Sequence, residues 1–199
     1  MKTGIISKLA IAIVLVSLGL ASGISISRAQ MNPASASPQI IDAATSTDLQ
    51  QTLDAAPPNS VIVFNPNQQL ILSAPLKVNQ PLTLRGLNAR LPEKLGKSPL
   101  VTVTASGVTI EDFQLYGNTE SVGQEERAPL IYIQASDFRV QHGLVVNSSR
   151  HGIYAAPDQK TDDLYGGVIR DIVGRGNARC VRVHRRPRRS RVDRSQCAD

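Results

Sequence analysis

Short apolar runs bounded by turn residues recur along residues 82–183 of this chain. Four share one form: Leu82-Thr83-Leu84-Arg85-Gly86-Leu87, Val108-Thr109-Ile110-Glu111-Asp112-Phe113, Phe138-Arg139-Val140-Gln141-His142-Gly143 and Val168-Ile169-Arg170-Asp171-Ile172. With Leu84, Ile110, Val140 and Ile169 aligned, the steps are 26, 30 and 29 residues. A second series interleaves with the first: Leu100-Val101-Thr102-Val103, Leu130-Ile131-Tyr132-Ile133, Gly152-Ile153-Tyr154-Ala155 and Cys180-Val181-Arg182-Val183. One such repeat cannot bury its own apolar face, so stacking must supply the core, which is the mark of a solenoid. No helical period of useful length follows Pro58, and helical crossovers between parallel strands have no room. The pattern predicts an all-β fold, a parallel β-helix solenoid.

Laying the repeats on one another predicts a register. Side chains alternate across a strand. Val101, Val103, Ile131, Ile133, Ile153, Ala155, Val181 and Val183 then point inward, while Thr102, Tyr132, Tyr154 and Arg182 form one outward ladder. Gly86, Asp112, His142 and Asp171 fall together at a tight turn after the other strand. Stacked polar groups there bond backbone and one another, so a structural corner is expected rather than a catalytic group.

Upstream of the repeats, Thr47-Asp48-Leu49-Gln50 has the form of a capping box with Thr47 as N-cap. Leu49 and Leu53 share a face at i, i+4, and Pro57-Pro58 stops the helix. A short amphipathic helix over residues 48–55 is expected to cover the open first coil. At the start of the chain, Lys2 and Lys8 precede an apolar run over residues 9–20, and Ser27-Arg28-Ala29 supplies small residues for cleavage before Gln30. This predicts a secretory signal peptide over residues 1–29. A membrane anchor is the competing reading, but the run is short and diluted by Ser17, Gly19, Ser22 and Gly23. The expected organisation is signal peptide 1–29, polar leader 30–45, an incomplete β-helix 46–183 and an Arg-rich irregular tail 184–199. The expected location is secreted or periplasmic, with no stable membrane anchor after cleavage.

Charge alters this picture only at the end of the chain. The formal net charge is +6, yet residues 179–194 hold 8 arginines. Residues 1–177 balance 14 basic against 14 acidic side chains. A basic tail invites a nucleic-acid reading, testable by salt-sensitive retention on DNA. The composition instead breaks in mid-coil, which predicts an end that is interrupted or read out of frame, with no nucleic-acid partner. Both cysteines, Cys180 and Cys197, lie in or beside this segment. A secreted chain can pair them, but the core would still rest on stacking.

The stretch from Ile41 to Val183 resembles the N-terminal part of right-handed parallel β-helix proteins of the pectin-lyase-like superfamily, over about 140 of 199 residues. The residues that carry the likeness are the entry from Thr47 to Phe64, then Leu72-Ser73-Ala74-Pro75-Leu76-Lys77-Val78 and Leu82-Thr83-Leu84-Arg85-Gly86. Asn147-Ser148-Ser149-Arg150-His151-Gly152-Ile153 looks like that family's junction between coils. The resemblance implies a right-handed coil and a polysaccharide cleft outside one sheet, here the sheet of the Thr102–Tyr132–Tyr154–Arg182 ladder. It does not fix an activity, because one fold hosts many.

Three constellations lie near that ladder. Tyr132 and Tyr154 on adjacent coils would offer an amphipathic face to sugar rings, or would simply pair across strands. Arg150 and His151 are candidates for β-elimination at a uronate, Arg150 neutralising the carboxylate and His151 moving a proton. Their alternative is a solvated turn. Asp158, Asp162 and Asp163, with Glu120, Glu125 and Glu126, form acidic loops that could hold Ca²⁺ or supply glycosidase carboxylates, or be solvated charge. Asp162-Asp163 follows His151-Gly152, the reverse of the order in the polygalacturonase-like branch, which argues against transferring those roles. The expected function is action on polysaccharide, as a lyase or hydrolase of uronate-containing polymers. The alternative is a non-enzymatic carbohydrate-binding or surface module on the same fold.

Overall fold

The computed structural model describes residues 38–183, apart from 45, 47, 91, 93–97, 118–126 and 158–163, and the backbone of 191–192 and 195–198. The signal peptide, most of the polar leader and both acidic loops, with Asp158, Asp162 and Asp163, lie outside the described residues. Among those described, no helix is long and apolar enough to cross a membrane.

In chain order the elements are β1 (Ile40–Asp42), α1 (Leu49–Ala55), β2 (Val61–Val63), β3 (Leu70–Ile71), β4 (Leu76–Val78), β5 (Thr83–Arg85), β6 (Asn88–Arg90) and β7 (Val101–Val103). They continue with β8 (Thr109–Tyr116), β9 (Ile131–Ile133), β10 (Arg139–Val146), β11 (His151–Ala155), β12 (Val168–Arg175), β13 (Arg179–Val183), β14 (Arg191–Val192) and β15 (Ser195–Ala198). Described pairings are all parallel. One sheet stacks β4-β7-β9-β11-β13, and the other runs β1-β2-β5-β8-β10-β12-β14 with β3, β6 and β15 alongside. The fold is a parallel β-helix solenoid with one short helix near its N-terminal end.

The expected register holds. Leu84 pairs with Ile110, Ile110 with Val140, and Val140 with Ile169. In the other sheet Thr102 pairs with Tyr132, Tyr132 with Tyr154, and Tyr154 with Arg182. Ile62, Leu84, Ile110, Val140 and Ile169 stack as one row, each at most 1 % exposed. A fully buried aliphatic side chain of this kind contributes about 1.5–3 kcal/mol. The rows thin out at β13, where Val181 and Val183 are only partly buried.

The second sheet owes its bend to a column of left-handed residues. Asp112, His142 and Asp171 have φ of 54°, 51° and 54°, and Gly86 has 79°. Aspartate and histidine are among the non-glycine residues enriched in this region, where most side chains are uncommon. Residues 109–111 of β8 pair with β5, and residues 114–116 pair with β6. Each long strand therefore turns a corner without losing its ladder. Inside the corner, a Cβ on Gly143 would lie 2.1 Å from the Phe113 ring. Phe113 fills the space that a side chain at 143 would need.

A polar ladder runs beside this column. Arg85 Nε donates to Glu111 Oε1 at 2.7 Å, Gln141 Nε2 donates to Glu111 Oε2 at 2.9 Å, and Arg170 Nε donates to Gln141 Oε1 at 3.0 Å. Burial raises the Glu111 pKa, but the hydrogen bonds from Arg85 and Gln141 and the Arg85 charge outweigh it, and the net shift is downward. Four coils are tied through one carboxylate and one amide.

At the N-terminal end α1 covers the edge of β4 through a side chain that imitates a strand. Lys77 N donates to Gln50 Oε1 at 2.8 Å, and Gln50 Nε2 donates to Lys77 O at 3.0 Å. Leu53, 1 % exposed, packs into the core beneath. Exposed edges invite pairing with other chains, and this one is blocked.

Three expectations are corrected. The N-cap is Asp48, whose carboxylate accepts from Gln51 N at 3.0 Å, not Thr47. Gln50 is thereby freed from a capping role to bond Lys77. The end of the polar leader is a strand, since β1 pairs with β2 from Ile40 to Asp42 and Ala43 is 1 % exposed. Finally, the tail is not wholly irregular. β14 and β15 pair with β12, Ile169 opposite Val192 and Gly174 opposite Cys197, so the backbone continues the coil despite its basic sequence. Backbone hydrogen bonding makes no demand on side-chain polarity at exposed positions.

Candidate functional site

The outer face of the β4-β7-β9-β11-β13 sheet carries Lys77, Thr102, Tyr132, Tyr154 and Arg182 in register. Tyr132 and Tyr154 stack with centroids 5.5 Å apart and an interplanar angle of 10°. Their parallel strands set that spacing, since equivalent residues sit about 4.8 Å apart on neighbouring strands. The guanidinium of Arg150 lies 5.9 Å from the centre of the Tyr154 ring, and that of Arg182 lies 6.0 Å from it. Both distances fall within cation–π reach.

Beside Tyr154 lies a pocket of about 390 Å³ lined by Arg127, Ser149, Arg150, His151, Arg179 and Arg182, with Ala178 completing the wall. No carboxylate is among these lining residues. Arg179 enters through the register, because it pairs with His151 across β11 and β13. Arg127 comes from the segment leading into β9.

His151 is the corrected member of the predicted pair. It is not in a solvated turn: it opens β11 and is 1 % exposed. The polar run before it is turned inward by specific bonds. Ser148 Oγ donates to His151 O at 2.6 Å, and Asn177 Oδ1 accepts from Ser148 N at 2.8 Å while Asn177 Nδ2 donates to Val145 O at 2.9 Å. The imidazole stacks on Tyr154 at 5.2 Å and 18°. Neither ring nitrogen has a hydrogen-bond partner among the described residues. Burying such atoms unpaired costs about 1–3 kcal/mol each. Burial lowers the His151 pKa, and the charges of Arg150, Arg182 and Arg179 lower it further, to about 4. The ring is therefore neutral near pH 7. Arg150, by contrast, is exposed as expected.

The structure thus brings Tyr132, Tyr154, Arg150 and His151 together on one face. Sequence reasoning missed Arg127 and Arg179. Arg179 was findable, since it stands one coil after His151; Arg127 carries no repeat signal. No group of three or more His, Cys, Asp or Glu suited to a metal occurs among the described residues. The Ca²⁺ candidates Asp158, Asp162 and Asp163 fall outside them.

No family model, curated protein or solved structure matches the chain.

Chemically, the face combines an aromatic platform with a cationic pocket. The stacked phenols cover one another's faces, so the platform meets a ligand with ring edges and hydroxyls, which suit the hydroxyls of a sugar. The pocket suits an oxyanion, because guanidinium groups donate in a planar fork that matches carboxylates.

Proposed function

We propose that this protein is an exported β-solenoid that binds an acidic, uronate-containing polysaccharide along the outer face of its β4-β7-β9-β11-β13 sheet. The observation that carries the reading is the Tyr132–Tyr154 stack with Arg150 and Arg182 held against the same Tyr154 ring. Sugar hydroxyls meet the edges and hydroxyls of the two stacked phenols, and a uronate carboxylate reaches into the arginine pocket. Along a polymer this contact repeats, so modest affinity per residue suffices. The resemblance to pectin-lyase-like β-helices and the predicted signal peptide support the same polymer class and an extracellular setting.

A second reading, a polysaccharide lyase, is favoured by His151 alone. β-Elimination needs a base to take the proton alpha to the carboxylate and a cation to stabilise the charge that develops. A neutral imidazole with unpaired nitrogens beside four arginines has those parts. A pKa of about 4 makes it a weak base in the empty site, so binding is the primary reading.

Calorimetric titration with polygalacturonate, alginate and a neutral glucan tests both. Saturable, salt-sensitive binding of an acidic polymer, with none of the neutral one, is expected. No binding of either acidic polymer ends the proposal. Accumulation of unsaturated product during the same incubations would promote the lyase reading.

A further inference from the structure

We infer that the pocket around His151 is a proton-coupled oxyanion site, in which one carboxylate or sulfate group enters among Arg150, Arg179 and Arg182 and His151 takes up a proton from solvent as it binds. The inference deepens the polysaccharide reading and rests on it for the source of the anion.

The first ground is hydrogen-bond chemistry. An oxyanion offers only acceptors. A neutral imidazole has one N–H donor and one nitrogen lone pair, and the lone pair repels an anion. Protonation turns both nitrogens into donors. His151 lines the pocket with both nitrogens unpaired and its ring 1 % exposed. The ring is built into the wall of the pocket, stacked on Tyr154.

The second ground is charge. The titratable groups facing the ring are Arg150 on the approach to β11, Arg179 and Arg182 on β13, Arg127 on the approach to β9, and the phenols of Tyr154 and Tyr132. The charged groups among these are all arginines, so the pocket is cationic. Burial first, and then the same arginines that attract an anion, hold the imidazole neutral, its pKa at about 4. A bound anion cancels part of their field and returns the histidine toward its ordinary range. By linkage, affinity then rises as pH falls between the bound-state pKa and about 4, and levels off below. Full coupling of one proton gives up to about tenfold in affinity per pH unit within that window.

Inorganic sulfate is the first probe, because it stays anionic throughout the window. Calorimetry near the middle of the window, in buffers of different ionisation enthalpy, should count close to one proton taken up per sulfate. The His151 ring resonances should titrate at higher pH with sulfate than without. His151→Gln should bind sulfate with no proton uptake and a flat pH profile. Should that variant fail to fold, the wild-type ring titration decides alone. Polygalacturonate and dextran sulfate separate the two anion sources by which of them competes with sulfate. Sulfate binding without proton uptake, or an unmoved His151 titration, overturns the coupling. Polygalacturonate binding without proton uptake overturns it too, while leaving the polysaccharide reading standing. Sulfate bound with a proton and neither polymer retained leaves the coupling and sinks the polysaccharide reading.

Discussion

Two histidines of the solenoid sit in opposite fields. His142 stands on the corner column, 47 % exposed, with Nδ1 3.6 Å from an Asp112 carboxylate oxygen and Nε2 3.5 Å from one of Asp171. His151 stands at the start of β11, buried among Arg127, Arg150, Arg179 and Arg182. Both positions recur by the same stacking rule. At the corner, stacking aligns residues chosen for their tolerance of a left-handed backbone, and their charges meet in solvent. In the pocket, stacking aligns β11 with β13 and adds arginines to a ring that is 1 % exposed. A polar residue in a solenoid becomes a site only where its column turns inward.

That contrast can be broken at several places. The largest effect belongs to the support of the corner. Phe113→Ala should cost about 3–5 kcal/mol in chemical denaturation, because the ring fills the space beneath Gly143. A loss under about 1 kcal/mol would mean that the corner does not depend on its interior.

Next comes acid sensitivity. The folded pKa of His151 lies near 4, below its ordinary 6.5. The unfolded chain therefore binds the extra proton first. Stability contributed by the neutral ring is intact above pH 6.5 and is lost as pH falls toward about 4. The loss over that window is about 3 kcal/mol. His151→Leu should flatten this limb of the stability profile, while His142→Asn should leave it in place. If removing His142 flattens it instead, the comparison is inverted.

Binding follows. Tyr154→Ala should weaken polygalacturonate by on the order of tenfold, about 1.4 kcal/mol, with the melting curve nearly unchanged because the ring is on the outer face. Equal weakening by Thr102→Ala would remove the aromatic platform from the argument. The smallest effect is expected at the corner's charges. Asp171→Asn keeps a residue that tolerates the backbone and removes two exposed pairings, with His142 and Arg170, so stability should move by less than about 1 kcal/mol and polymer affinity not at all.

Much of the fold was legible because each strand repeats one short instruction. Leu84, Ile110, Val140 and Ile169 align at a near-constant spacing, and the corner residues two positions later come with them. The polar ladder of Arg85, Glu111, Gln141 and Arg170 was equally present in that alignment, one position earlier, but mixed residue types hid it. Gln50 was misread as a capping side chain because its partner, Lys77, is 27 residues away. β1 escaped notice because three residues pair to a neighbour without any periodicity of their own. His151 was the deepest miss. Asn147-Ser148-Ser149-Arg150 reads as a solvated turn, and only Asn177, from the next coil, shows how Ser148 within it is bonded and buried.

The sequence alone determined the stacking: its apolar spacing, its β-branched strands and the turn residues between them admit one register, since a slip by one residue would turn every buried side chain outward. It determined too that Tyr132 and Tyr154 share a face. The tertiary structure decided which polar residues that face keeps and which it buries. Burial depends on the coil above and the coil below, and the charge felt by His151 comes from Arg150 beside it and from Arg182 and Arg179 on the next coil. No local pattern encodes a field assembled from two coils.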